Sequence, residues 1–502
     1  MTSAFVPLSA AAARAKKAAA SAVVLPEGLI TDDLDGELAH VVRNDMGNAR
    51  RLIARHGKDL IWIEQVGWLV WTGRNWSDDG GARAAQDRAQ QVAHAMFAEA
   101  AALREAGPTA RQTAEELEEQ VATHWKWAVQ SGNSGRIAAM LEEAKPHLCR
   151  KVEDMDRDPA LFNAQNGTIE LARDGFHRLR PHDRADLITH ISPVAHDPLA
   201  ACPVFTEAMM EWQPDQEMHD FLQRAAGYIM TGYTGEQVVI LLYGTGKNGK
   251  STLANILMHI MGDYAMTLPF ASLLEDKHRR GGEPTPDIAR LPGRRFVVAA
   301  EPPLGAKLDE ALIKSLTGGD KIPARHLNRD MFEFTPVAKF VLSFNTAPTV
   351  RGQDYGIWRR LLMAAFPHRI EKVDDTMEER LQAEAAGILN WMLSGYAGWR
   401  KHRLAPPDAV REATESYRSD QDMVGRFLSA ATVARPGARV AANTLYKAYQ
   451  RWAQQSGVDP LSGTMLGRIL TQRGVRKSKS GVVVYEDMEL VEDFAPDQMD
   501  MP

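Results

Sequence analysis

The chain has 502 residues, and its 59 Lys and Arg against 65 Asp and Glu give a formal net charge of −6. That length suggests about three domains, and the acidic balance excludes a uniformly basic nucleic-acid coat, so any DNA or RNA contact must come from local patches. Two distant cysteines, Cys149 and Cys202, exclude a disulfide scaffold and suit a reducing, cytoplasmic setting, and no apolar run approaches the ~20 residues of a membrane helix.

Residues 1–44 read as an Ala-rich flexible arm. Its Arg14, Lys16 and Lys17 sit inside the Ala-rich stretch, where a secretory signal would place charges ahead of an apolar run. Asp32, Asp33 and Asp35 are closely spaced acids, but no buried strand precedes them, so they read as a helix cap or loop. Residues 45–204 read as an α-rich region with a short β hairpin. Helical spacing covers Asn48–His56, Ala84–Glu105 and Thr113–Ser131, with a strand-like piece at Leu60–Trp71. Trp125 and Trp127 are expected in the core. Asn166-Gly167 marks a tight turn between Leu161–Ala164 and Thr168–Leu171. Helices follow over Pro203–Met230.

Gln237–Tyr243 is almost continuously apolar, as a strand buried on both faces must be. It runs into Gly244, Thr245, Gly246, Lys247, Asn248, Gly249, Lys250, Ser251 and Thr252, a full G-x-x-x-x-G-K-[ST] match, and then into an apolar helix, Leu253–Met261. Glycines let such a loop turn its N–H groups inward on phosphate oxygens, above the positive end of the helix dipole. Lys250 would reach the β- and γ-phosphates of ATP, and Ser251 would ligate Mg²⁺. No Asn-Lys-x-Asp guanine reader follows.

A second buried run, Arg295–Ala300, ends on Glu301, where a carboxylate can serve Mg²⁺ or the attacking water. A third, Lys339–Phe344, ends on Asn345, whose amide could bond both the γ-phosphate and the water. Trp358-Arg359-Arg360 follows, and either arginine could act as a finger in a neighbouring subunit's site. Lys321–His326 and Met331–Pro336 can pair as a hairpin carrying Lys321, Arg325, His326 and Arg329, suited to one strand of DNA. After about Ala405 the chain turns polar, as a linker would. In residues 424–487, two helices precede a basic stretch and the apolar strand Gly481–Tyr485, so Arg468, Arg473, Arg476, Lys477 and Lys479 are candidate phosphate contacts. Residues 488–502 read as an acidic tail.

The series GTGKNGKST, RFVVAAEP, KSLTGGDKIPARHL, FEFTP, VLSFNTAP and WRRLLMAAFP resembles the superfamily 3 helicases, and more closely the helicase part of the phage and plasmid primase–helicase family. The resemblance implies a multidomain α/β chain: an α-rich N-terminal region, a P-loop AAA+-type ATPase core over residues 205–400, and a C-terminal winged-helix domain. It also implies a ring, usually a hexamer, that translocates on single-stranded DNA and unwinds forked duplex using ATP and Mg²⁺. Lys250, Ser251, Glu301 and Asn345 would take the family roles, and Arg359 or Arg360 the finger. Any primase would be a separate protein, and the setting would be a bacterial host carrying a phage, prophage or plasmid. Two other readings fit the same motifs: a DNA-stimulated loader, and a nucleotide-binding initiator without catalysis.

Overall fold

The computed structural model describes residues 32–276, 285–325, 331–371 and 374–494. Asp32 caps helix α1 (Asp33–Leu38) in a reciprocal capping box with Asp35, so this acidic stretch is a helix start, as expected. Asp35 also accepts from Arg55 at 2.5 Å. Helices α2 (Asp45–His56), α3 (Gly81–Ala106), α4 (Ala114–Ser131) and α5 (Ser134–Leu148) surround a small antiparallel sheet, β1 (Leu60–Ile63), β2 (Gly67–Trp71) and β3 (Trp76–Ser77). The expected single piece Leu60–Trp71 is thus two strands, because Gly67 at φ +119° lets the chain reverse after Ile63. Trp125 packs on Phe97 with ring centres 4.5 Å apart, and Trp127 donates to Asn48. Periodicity did not reveal the charges inside this bundle. Arg51 and Glu99, both wholly buried, pair at 2.8 Å, and His124 joins the same carboxylate at 3.2 Å.

The next strands, β4 (Leu161–Ala164), β5 (Gly167–Leu171) and β6 (His177–Arg180), extend the expected hairpin to a three-stranded sheet. Phe162 and Ile169 share a core with Phe205 and Trp212 of α6 (Pro203–Trp212) and with Phe221 of α7 (Gln216–Ile229), so packing runs across residue 204.

The central element is a parallel sheet. Its strands are β7 (Val239–Tyr243), β8 (Ala265–Thr267), β9 (Phe296–Ala300), β12 (Lys339–Phe344) and β13 (Leu361–Ala365), in the spatial order β13-β7-β12-β9-β8. Between them in the chain lie α8 (Lys250–Met261), α9 (Pro286–Ala289), α10 (Glu310–Gly318), the hairpin β10 (Ile322–Arg325) with β11 (Met331–Phe334), and α11 (Tyr355–Trp358). Ile240, Leu242 and Val341 face α7, α8 and the later helix Ala385–His402; Val239, Leu241 and Phe340 face α10 and the hairpin. The hairpin pairs as expected, Ile322 opposite Phe334 and Arg325 opposite Met331. The candidate contacts His326 and Arg329 lie outside the described residues.

Helices α12 (Met377–Ala383), α13 (Ala385–His402) and α14 (Asp408–Gln421) close the domain. The expected linker after Ala405 is instead α14, docked beside β13. Val410, Ala413 and Tyr417 recur at helical spacing toward the core, Thr414 accepts from Met363 N at 2.9 Å, and Tyr417 donates to Pro348 O. The polar residues that suggested a linker are its outer face.

The C-terminal residues form α15 (Met423–Ala431), β14 (Thr432–Ala441), α16 (Ala442–Gln455), α17 (Gly463–Gln472), β15 (Lys477–Ser480) and β16 (Val482–Leu490), around their own core of Phe427, Tyr449 and Trp452. Strand β16 lies between β14 and β15 and runs to Leu490, so the first residues assigned to an acidic tail are sheet. Residues 495–502 lie outside the described ones.

Helices α7 and α13 cross where glycines meet backbone. A Cβ on Gly395 would lie 1.9 Å from Gln223 O, and one on Gly227 2.0 Å from Tyr396 N. Gly395→Ala should therefore force the helices apart and cost roughly 1–3 kcal/mol in urea melts. Gly36→Ala, in α1 with open space around it, should be neutral or stabilising by ~0.5–1 kcal/mol. Equal melts for both variants would contradict this packing.

Candidate functional site

Parallel strands present their carboxyl ends at one edge, and the register sets what meets there. Phe344 pairs with Tyr243, Ser343 with Ala300, and Ala365 with Tyr243. The residues just beyond, Gly244, Asn345, Glu301 and Phe366, are therefore neighbours, with Asn345 nearer the Gly-rich loop than Glu301.

The loop is shaped by backbone that few side chains allow. Gly246 and Gly249 take φ +99° and +83°, and Lys247 takes φ +49°. At Gly249 a Cβ would meet the Trp212 ring at 2.3 Å, so the end of α6 forms a floor under the loop. Asn248 donates to Phe366 O at 3.0 Å, Ile370 N donates to Lys247 O at 2.7 Å, and Gln213 donates to Ala365 O at 2.7 Å. The first two bonds tie the loop to the segment after β13, and the third ties the end of α6 to the last residue of β13. The helix reading of Pro203–Met230 carried no sign of Trp212 or Gln213 at the site. Only tertiary packing brings them there.

Lys250 begins α8 and is buried. Its ammonium donates to Gly244 O at 2.8 Å, Asn248 Oδ1 at 2.9 Å and Asn345 Oδ1 at 3.3 Å. Burial pulls its pKa below the ordinary lysine value. Ser251 is exposed at the first turn of the helix, as are Thr245 and Lys247 in the loop. Glu301 is exposed, with φ +56° and its N–H donated to Ser343 O at 3.0 Å. A non-glycine residue at positive φ is uncommon and marks a constrained position. One cation, two side-chain amides and one hydroxyl thus gather at the N-terminal end of α8, where the helix dipole favours an anion, and the Glu301 carboxylate closes a nearby strand on the same edge. That donor set fits a polyphosphate with a hard divalent ion, which takes most ligands from phosphate and water and few from protein.

Arg359 and Arg360 lie at the opposite edge, since they precede β13. Five residues of strand, ~17 Å at 3.3 Å per residue, separate them from their own chain's loop. Arg360 is 9% exposed and committed internally: Nε donates to Thr317 Oγ1 at 3.1 Å, and Nη1 donates to Gly356 O at 2.5 Å. Arg359 is exposed and touches Gln237 at 2.8 Å. The base of the β10–β11 hairpin, with Lys321 exposed, lies by this same edge, because Gln237 also bonds Gly318 O at 3.2 Å.

The C-terminal basic residues divide into two groups. Lys477 and Lys479 are exposed and alternate along β15. Arg476 pairs with Asp487 and Arg473 with Asp422, while Arg468 and Arg473 line a groove of about 1040 Å³ between α17 and the 351–354 segment.

The fold is a mixed α/β multidomain one built on a parallel sheet, and comparison with known proteins makes the chain primase-helicase-like. A family described as D5 N terminal like matches residues 49–214, and a family of unknown function, DUF5906, matches residues 242–360. A provisionally named helicase of Acanthamoeba polyphaga mimivirus is 26% identical over 325 residues, covering 60% of this chain and 34% of the relative. A provisionally named helicase of Frog virus 3 is 25% identical, covering 48% and 26%. A provisionally named primase of African swine fever virus (strain Badajoz 1971 Vero-adapted) is 24% identical, covering 60% and 34%. The chain thus spans about a quarter to a third of the length of these relatives. Among solved structures, the apo NrS-1 C terminal region aligns with 66% of this chain and 96% of its own, at 12% identity and a TM-score of 0.37. Among the described residues no helix is long and apolar enough to cross a membrane.

Gly249→Ala combines the φ penalty with the Trp212 clash, so amide exchange over residues 244–252 should speed up. Adding Trp212→Ala removes only the clash and should restore part of the protection. Unchanged exchange in Gly249→Ala would show that Trp212 does not floor the loop.

Proposed function

We propose that this chain is an ATP-dependent, ring-forming DNA helicase motor acting in replication of a phage, prophage or virus-like element. The observation that carries this reading is the Lys250 ammonium held 3.3 Å from Asn345 Oδ1, at the strand-end edge that also ends in Glu301. A lysine, a polar amide and an acid on three neighbouring strand ends are the parts that hydrolysis of a nucleoside triphosphate needs.

In this mechanism the N–H groups of Gly244–Thr252 form a P-loop and cradle the phosphates. Lys250 exchanges its internal acceptors for the β- and γ-phosphate oxygens, strengthening its interaction as charge develops. Asn345, released from Lys250, can then report the γ-phosphate and orient water. Glu301 accepts the water's proton and, with Ser251, would hold Mg²⁺. Such an ion would neutralise the negative charge on the β- and γ-phosphates. Arg359, exposed at the far edge, is the finger for the neighbouring subunit in a ring, most simply a hexamer; Arg360 is the brace that positions it. The helix–strand–helix–helix–strand–strand order of the last domain supports a winged-helix assignment, with Lys477 and Lys479 on the wing facing DNA phosphates. Lys321 and Arg325 of the hairpin would meet the translocating strand.

The test is unwinding of a forked duplex by the native chain beside Lys250→Ala and Glu301→Gln. Both should lose ATP turnover by on the order of 100-fold or more, and Glu301→Gln should still bind nucleotide. DNA-stimulated turnover without strand separation would replace the helicase with a loader. Binding without turnover in the native chain would remove the motor altogether.

The two arginines separate by a different measurement. Arg359→Ala should leave thermal stability unchanged and lower turnover by ~10³-fold, and mixing it with Lys250→Ala subunits should recover activity in shared sites. Arg360→Ala should lower the melting temperature, because it strips buried hydrogen bonds. Recovery absent from the mixture would exclude Arg359 as a finger in trans.

A further inference from the structure

A second cavity, of about 630 Å³, lies at the seam between the N-terminal β1–β2 hairpin and the central sheet domain. That volume falls within the range of small-ligand sites. Its position separates it from the Gly-rich loop: Gly293 and Arg294 precede β9, so the cavity opens at the edge of the parallel sheet opposite Glu301 and Asn345.

One side of the cavity is built from charge. Largely buried Asp156 accepts from Thr189 N at 2.9 Å and from the Thr189 hydroxyl, and it lies 3.3 Å from His190 Nδ1. Burial alone would raise this carboxyl, yet the His190 and Thr189 contacts hold it below its usual value. Asp156 is therefore already satisfied by its neighbours. His190 is fixed in turn, stacked on Tyr264 and pressed by Gly293, where a Cβ would meet the ring at 2.2 Å. Arg290 and Arg294 line the same cavity. Arg290 is exposed and makes no side-chain hydrogen bond or ion pair with a described residue. Arg294 donates one Nη1 bond to Asp263 O, but its buried Nε has no partner; among the described residues no carboxylate is in ion-pair contact with it, although the charges of Asp263, Asp156 and Asp78 favour its cation from further off. Among the described residues, exposed Asp78 is the one other acid lining the cavity. The lining also includes the apolar Leu69, Met155 and Phe332.

We propose that this cavity is a second site, for a single nucleotide unit, its phosphate on Arg290 and Arg294 and its base against Leu69, Met155 and Phe332. An unpartnered guanidinium donor beside a second free cation calls for an anion. Apolar side chains in the same lining, the Phe332 ring among them, give a base something to stack on. The same chemistry has two sources, a free nucleoside monophosphate or one nucleotide of a DNA strand. The strand is the closer fit, because the hairpin that carries Phe332 also carries Lys321 and is tied to α9 through Thr285 N to Arg325 O at 3.0 Å. The choice of a strand rests on the DNA-motor reading above; the cavity's chemistry does not.

The experiment is photo-cross-linking of the full chain, without ATP, to 5-iodo-deoxyuridine monophosphate and to a thymidine oligomer carrying one 5-iodo-deoxyuridine, followed by peptide mapping. Oligomer cross-links at Met155 or Phe332 support the strand. Monophosphate cross-links there without oligomer cross-links support the free nucleotide. Arg290→Glu, an exposed change, should weaken the labelled species by roughly five- to tenfold and lower the salt slope of oligomer binding by about one. Absence of both probes from Met155 and Phe332, with Arg290→Glu binding like the native chain, would overturn the site. ATP turnover of the native chain, measured in parallel, reports on the motor reading independently, since neither probe offers the β- and γ-phosphates the Gly-rich loop needs.

Discussion

The rest of the structure depends on one constraint: the parallel sheet is apolar on both faces, and both must be covered. Successive residues of β7 alternate between two cores, Val239 and Leu241 on one side and Ile240 and Leu242 on the other. Covering the first face requires α10, the β10–β11 hairpin and α14; covering the second requires α7, α8 and α13. With both faces occupied, polar work is confined to the two edges. The carboxyl edge holds Lys250, Asn345 and Glu301. The amino edge holds Arg359, the hairpin base and the second cavity. Which polar groups meet at each edge follows from where side chains are left uncovered by the two cores.

Burial is also what gives the site its character. Lys250 is a buried cation whose charge is answered by two side-chain amides and a carbonyl in place of a carboxylate. Such a group is held in place yet remains electrostatically unspent, so an arriving phosphate offers it more than its present partners do. Two other buried cations act differently. Arg295 donates to Met230 O at 2.6 Å and Lys339 to Thr231 O, so both are spent on the carbonyls that follow α7. The contrast between Lys250 and Lys339, both at the ends of apolar strands or loops, lies in what each faces.

Much of the scaffold was legible in the chain. Continuous apolar runs marked β7, β9 and β12, because a strand covered on both sides has no polar face to show. The Gly-rich signature marked its loop, because few other residues adopt φ near +83° or +99°. Less was visible where the signal is two-sided. The stretch after Ala405 looked like a linker because α14 shows water a polar face that outnumbers its few core contacts. The Leu60–Trp71 reversal was hidden among aromatic residues that suit either strand. Of the basic residues, Arg360, Arg473 and Arg476 carry the same charge as Lys477, and only their partners distinguish them.

The amino-acid sequence by itself determined the composition of the site: a loop that must turn at Gly246 and Gly249, a lysine at the start of α8, and polar residues closing two buried strands. These are local consequences of backbone freedom and of apolar patterning. Tertiary structure decided the rest. The strand order places β12 between β7 and β9, which brings Asn345 to Lys250 although 95 residues separate them in the chain. It sets Trp212 under Gly249, buries Arg360 while leaving Arg359 outside, and opens a cavity between residues as distant as Leu69 and Phe332. No local pattern encodes these, because strand order and the closing of a seam are settled by which apolar faces cover one another.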